Sequence, residues 1–213
     1  MDNLFVLAII IANVLISIKG FNDEYFFRKY QFHVGSIRAG EQIRMVTSAF
    51  LHADFVHLAF NMIALYSFAP VVTETLGNFT FLLIYAGSLI FVSLLTMVFH
   101  GNDYSYRAVG ASGAVTGIIY SAILLYPDMT IGIFGVIPMP AYIFGICYLL
   151  YSIYGMKAKN DNIGHTAHFG GAIGGYAITL LKDPALFEQS TFMVILLAIP
   201  IVILFVMAKA GKL

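Results

Sequence analysis

Charge is scarce in this chain of 213 residues. Only 10% are Asp, Glu, Lys or Arg, against 60% hydrophobic. Soluble domains carry about 25% charged residues, so the composition excludes an ordinary water-soluble globule and leaves an integral membrane protein. The formal net charge is zero, and there is no basic or acidic surface suited to nucleic acid. Cysteine is nearly absent. The single Cys147 rules out an intramolecular disulfide framework and a cysteine-rich zinc site. It lies in an apolar run and reads as a buried structural thiol. A cleavable leader is also missing from the pattern: Asp2 precedes the first apolar run, Lys19 follows it, and no A-x-A-like site is present. Residues 4–19 therefore read as a retained first span.

What is there is a succession of apolar runs. A spanning helix needs about 20 such residues, with shorter ones tolerated. The candidates are 4–19, 55–73, 79–99, 111–126, 140–156, 166–181 and 191–208, which predicts an all-α polytopic membrane protein. Segment 20–54 mixes Asp23, Glu24, Arg28, Lys29, Arg38, Glu41 and Arg44 with aromatics such as Tyr25, Phe26, Phe27, Tyr30 and Phe32. That mixture suits an interfacial loop at headgroup level. The stretch PDMTIGIFGVIPMP (127–140) carries no charge after Asp128 and three prolines, and reads as a hairpin-like connection.

Parity gathers the polar residues. Spans 2, 4 and 6 cross in one direction, so their N-terminal ends share a membrane face. The second opens with HADFVHLAFN, giving His52, His57 and Asn61. The fourth opens with Ser112, and the sixth with His165 and His168. Polar groups inside a bilayer are costly and by default functional.

Serine is a weak nucleophile and needs a base within hydrogen-bond reach. His168 is the candidate. Gly113 and Gly117 on span 4, and Gly171 and Gly175 on span 6, each have the spacing that lets helix backbones approach closely. Such an approach brings Ser112 towards His168. Spans 4 and 6 contain no Asp or Glu, so a Ser–His dyad fits better than a triad. Acyl transfer also needs donors for the developing oxyanion. His57 and Asn61 are spaced i, i+4 on one helix face. The Ser112 N–H lies at a helix N-terminus, and Gly110 allows close backbone approach. Plainer readings stay open for each residue alone: packing glycines in a transporter, a packing serine, His57 and Asn61 as helix cross-links, or a metal on His52, His57 and His168. His33, His100 and His165 read as loop or helix-mouth residues.

Taken together, GASGAVTG (110–117), HADFVHLAFNM (52–62) and AHFGGAIGG (167–175) resemble the rhomboid intramembrane serine proteases. RMVTSAFLH (44–52) is similar to the family's loop 1 segment, and ETLG (74–77) to its Glu-x-x-Gly. The resemblance covers roughly residues 40–180. It implies Ser112 as nucleophile, His168 as general base, His57 and Asn61 beside the Ser112 amide in the oxyanion hole, and His52 as a supporting histidine. It also implies a six-span catalytic core (residues 1–185, with 20–54 as interfacial loop 1) plus an additional C-terminal helix (186–213). Single-span membrane proteins in the lipid bilayer would be the substrates, reaching the site near span 5 and loop 157–165, with no cofactor. The location implied is the cell membrane. The chain departs from the family pattern at Ile43, where an aromatic usually precedes the arginine, and at Thr116, where many members place a Phe or Tyr that stacks on the catalytic imidazole. Arg44 and Glu74 read as structural anchors. The rivals are a catalytically inactive rhomboid-like protein that binds client helices, and a small-solute or metal transporter.

Helical geometry favours His168 over His165 as base. From His168, Gly171 and Gly175 lie about 60° and 20° away around the helix, and from His165 about 120° and 80°. His165 is expected nearer the loop, at the water interface. Orientation divides the arguments. The family pattern puts the N-terminus in the cytoplasm and the dyad outside. That leaves only Lys182 among the inner cations, whereas the positive-inside rule expects the reverse.

Overall fold

A computed structural model describes residues 3–133, 137–158 and 164–213. Helix α1 (Leu4–Asn22) starts where the Asn3 side chain accepts from the N–H groups of Phe5 and Val6. The polar Asn13 and Ser17 are its buried face. The interfacial segment folds into short pieces: α2 (Glu24–Tyr30), β1 (Phe32–His33), α3 (Val34–Arg38), α4 (Arg44–Thr47) and a 3₁₀ turn (Ser48–Phe50). Arg44 holds them together. Its buried guanidinium donates to Glu41 Oε2 at 2.6 Å and to the carbonyls of Arg28 at 2.7 Å and Gln31 at 3.2 Å. Glu74, by contrast, is exposed, so the anchoring expected of it does not extend beyond Arg44.

Helix α5 (Phe55–His100) is 46 residues long. At 1.5 Å per residue that is about 69 Å, more than twice a hydrocarbon core of about 30 Å. It is two spans meeting at Gly77, whose φ of 81° and ψ of 163° break the helix. A residue with a Cβ adopts such a φ only at a cost. Among the described residues three helices, α1, α5 and α10 (Thr191–Lys209), are long and apolar enough to cross a membrane by length and composition. The chain is an all-α polytopic membrane protein. Helix α6 (Ser112–Leu125) has 14 residues and so extends only about 21 Å. That is shorter than a hydrocarbon core of about 30 Å. The loop before it is secured by β2 (Arg107–Ala108), paired antiparallel with β1, and by Gly110 N–H donating to the Ser48 carbonyl at 3.0 Å.

The connection after α6 is the expected hairpin: β3 (Thr130–Ile133) pairs antiparallel with β4 (Ile137–Pro140). Residues 134–136 lie outside the described ones. Helix α7 (Ala141–Ala158) follows, then α8 (His165–Lys182), α9 (Leu186–Gln189) and α10. Cys147 is exposed on α7, not buried as its apolar surroundings suggested. In a membrane helix an apolar neighbourhood does not distinguish the core from the lipid-facing side. Helix α10 packs on α7, with Leu149, Leu197 and Leu204 in one buried cluster. Tyr176 Oη also donates to the Val194 carbonyl at 2.8 Å.

At the centre, α6, α8 and the second half of α5 pack against one another. A Cβ on Gly171 would run into the Gly113 carbonyl group, and one on Gly175 into that of Gly117. One helical turn further along, Thr179 Oγ1 bonds to Ser121 Oγ at 2.7 Å with the same offset of 58 residues. A constant offset means that α6 and α8 run parallel and in register, at backbone contact.

Candidate active site

That register sets the neighbours at the N-terminal ends of the two helices, where Ser112 and His168 line one cavity. The Ala167 carbonyl lies 3.0 Å from where a Gly113 Cβ would be. Ser112 is the first residue of α6, so its N–H and those of the first turn have no intrahelical acceptor. Ser112 is half-buried, and His168 is buried.

The start of α5 supplies the opposite wall. Asp54 caps the helix, its Oδ1 accepting from His57 N–H at 2.8 Å. Asn61 sits one turn on and donates one amide hydrogen to the His57 carbonyl at 2.9 Å. A primary amide has two such hydrogens, so a second N–H remains for another acceptor. The His57 ring closes on Gly110. A Cβ there would meet Cε1 at 2.6 Å and Nε2 at 2.8 Å, and Gly110 has a φ of 123°. Glycine is required on both counts.

His52 lies behind this wall, fully buried. The Ala111 N–H donates to its Nε2 at 3.3 Å, so Nε2 is the acceptor and Nδ1 carries the proton. Nδ1–H then donates to Ser17 Oγ at 2.8 Å. Ser17 Oγ in turn donates to the Phe50 carbonyl at 3.0 Å. This chain fixes one tautomer and ties α1 to the residue preceding Ser112. Burial, with His57 nearby as a smaller cause, pushes His52 down to about 3, so the imidazole is neutral at physiological pH. The rings of His52 and His57 meet edge to face, 5.0 Å apart.

A cavity of about 650 Å³ is lined by Ser112, His168, His57, Asn61, Gly110 and Tyr148, a size usual for small-ligand sites. Sequence reasoning picked out five of these six. The sixth, Tyr148, is one of several tyrosines in the apolar run of α7, and nothing in its spacing sets it apart. Its ring lies 5.1 Å from that of His168, tilted by 31°. His165 does not line the cavity. Nor is it at the water interface, as its place at the helix mouth suggested. It is buried against Gly155, edge to face with Tyr151 at 5.4 Å. His100 and His33 have local partners, Thr166 Oγ1 at 3.0 Å and Ser36 Oγ at 2.9 Å. Among the described residues no group of three His, Cys, Asp or Glu side chains is placed to hold a metal ion.

A half-buried hydroxyl at a helix N-terminus, a neighbouring imidazole and convergent N–H donors around one cavity form a constellation capable of acyl transfer. The chain matches the Rhomboid domain over residues 39–184. It belongs to the rhomboid family. Among named rhomboids, it is 37% identical over 144 residues to YdcA of Bacillus subtilis (strain 168), covering 67% of this chain and 68% of that one. It is 32% identical over 177 residues to Rhomboid protease GluP of the same organism, covering 78% of this chain and 32% of GluP. With RHOMBOID-like protein 12, mitochondrial, of Arabidopsis thaliana it shares 30% over 188 residues, covering 80% of this chain and 56% of the plant protein. The chain thus spans about half of the plant relative, a third of GluP and two thirds of YdcA.

Proposed function

We propose that this rhomboid is an intramembrane serine endopeptidase, hydrolysing peptide bonds in or near the membrane segments of single-span proteins. The observation that carries the reading is the in-register contact of α6 and α8, which brings Ser112 and His168 to one cavity with His57 and Asn61. In the first step Ser112 Oγ attacks the scissile carbonyl carbon as His168 takes the hydroxyl proton. The carbonyl oxygen becomes an oxyanion, stabilised by the Ser112 N–H, the His57 ring N–H and the free amide hydrogen of Asn61. Collapse breaks the C–N bond, and His168 gives its proton to the leaving amine. Water, activated by His168 in turn, releases the acyl group. The substrate helix must unwind locally, because an intact helix ties up its scissile carbonyl in an i→i−4 bond.

Residues 1–185 form the catalytic core in this reading, and 186–213 an added helix that buttresses α7. The cell membrane is the proposed location. Substrate access is assigned to the α7 side. Of the loop 157–165 named for it from the sequence, residues 159–163 lie outside the described ones.

A fluorophosphonate probe tests the reading on the purified full-length protein. It should label the natural chain and not Ser112→Ala, and the natural chain alone should cut a reporter single-span substrate. A folded natural chain that neither takes the label nor cuts the reporter overturns the proposal in favour of an inactive client-binding rhomboid.

A further inference from the structure

Position 116 presents a difficulty for the dyad. Four residues beyond Ser112 on α6, it faces the same cavity as His168, and a threonine has no ring to lay against an imidazole. The ring comes from another helix. Tyr148, on α7, stacks obliquely on His168 with centroids 5.1 Å apart and planes tilted by 31°, within the range at which aromatic pairs attract. Tyr148 is also stacked on Phe144, at 5.7 Å and 13°.

Thr116 leaves that ring room. Its Oγ1 donates its single hydrogen back to the Ser112 carbonyl at 2.7 Å, and Thr116 and Tyr148 line the same cavity. An aromatic residue at position 116 would compete with the Tyr148 ring for this space.

We infer that Tyr148 is a positioning residue for the dyad, its ring, supplied from α7, setting the orientation of the His168 imidazole. The inference rests on the serine-protease reading above. It makes α7 part of the machinery, not only a wall of the cavity.

The test compares turnover of the reporter substrate by purified full-length variants. Tyr148→Phe keeps the ring and should hold kcat within about twofold. Tyr148→Leu fills similar space without a ring and should lower kcat about threefold to tenfold at unchanged KM, the rate equivalent of one aromatic contact. Tyr148→Ala combined with Thr116→Tyr, which returns a ring from α6, should recover most of what Tyr148→Ala alone loses. A Leu variant with natural kcat, or one that fails only through KM, overturns the inference, as does a double variant no better than Tyr148→Ala. A second readout needs no activity. In Ser112→Ala protein, Tyr148→Leu should move the His168 ring proton resonances, and Tyr148→Phe should move them least. Unmoved resonances overturn the positioning role. If the natural chain takes no fluorophosphonate while the resonances do move, the protease reading fails and the ring contact stands.

Discussion

Gly171→Ala adds one methyl group, at the point where α8 touches α6. A Cβ built at Gly171 lies 2.7 Å from the Gly113 carbonyl carbon and 3.2 Å from its Cα, and closer still to its oxygen. Ordinary contacts for such an atom begin near 3.4 Å. Backbone cannot rotate aside as a side chain can, so the helices must separate by roughly an ångström to restore van der Waals distance. His168 is carried by α8 and Ser112 by α6, and the separation opens the dyad directly. A misplacement of about 1 Å at a reacting pair costs on the order of 10² in rate. Overpacking a tight contact costs about 1–3 kcal/mol of stability. We therefore expect Gly171→Ala to fold with a lowered melting temperature and to lose about 10²-fold in kcat/KM. The matched control is Gly164→Ala, at the cap just before the same helix, where the new methyl meets only Ala167 Cβ at 3.6 Å. It should stay close to the natural rate. The assay is cleavage of a reporter single-span substrate in detergent, with fluorophosphonate labelling in parallel. If Gly171→Ala is folded and turns over as fast as the control, backbone contact between α6 and α8 does not set the dyad geometry.

Four further outcomes are expected. His57→Ala and Asn61→Ala should each lower kcat, by as much as about 10²–10³ for loss of an oxyanion donor, with KM little changed; a double variant of natural kcat reduces α5 to scaffold. His168→Ala should abolish both cleavage and probe labelling. His165→Ala should still be labelled, though less stable for losing a buried ring; the reverse pattern would make His165 the base. His52 has a folded pKa near 3, below the unfolded value of about 6.5. Its contribution to stability is complete above pH 6.5 and is lost as pH falls from 6.5 towards 3, since only the unfolded chain binds the proton there. Thermal melts from pH 7.5 to 4.5 should fall more steeply for the natural chain than for His52→Gln, and parallel curves would contradict the assignment. Finally, a cysteine at position 159 in a Cys147→Ser background should react with an impermeant reagent on intact cells if the N-terminus is cytoplasmic. Protection that disappears on permeabilisation would invert the topology and uphold the positive-inside count.

Much of this protein is written in short-range patterns. Apolar runs of membrane length marked the long helices in order, with 55–73 and 79–99 joined as the kinked α5, but not the short α2, α3, α4 and α9. The paired glycines at 113 and 117, and at 171 and 175, named two helices that touch. The choice of His168 over His165 came from helical angles and from the family's histidine-x-Gly-Gly pattern; of the two, His168 lines the cavity. These features are legible because each depends on a period of one helix, or on a residue type that a bilayer tolerates only for a reason. The hairpin at 130–140 belongs with them, signalled by its prolines and lack of charge.

Other features are properties of pairs far apart in the chain. Cys147, His165 and Tyr148 all lie in or beside apolar helices. In a membrane both faces of such a helix can be apolar, so composition does not reveal which residue meets protein and which meets lipid. The packing of α7 on α8 and α10 decided it, exposing Cys147 and turning Tyr148 onto His168. The same holds for His52. The sequence marks it as a supporting histidine, but its tautomer depends on Ser17 and Ala111, neighbours brought together only by folding. The sequence by itself determined the long apolar helices and the polar groups they carry. Only the tertiary structure decided which aromatic ring lies on the catalytic candidate, because that contact joins residues 20 positions apart on helices with no shared periodicity.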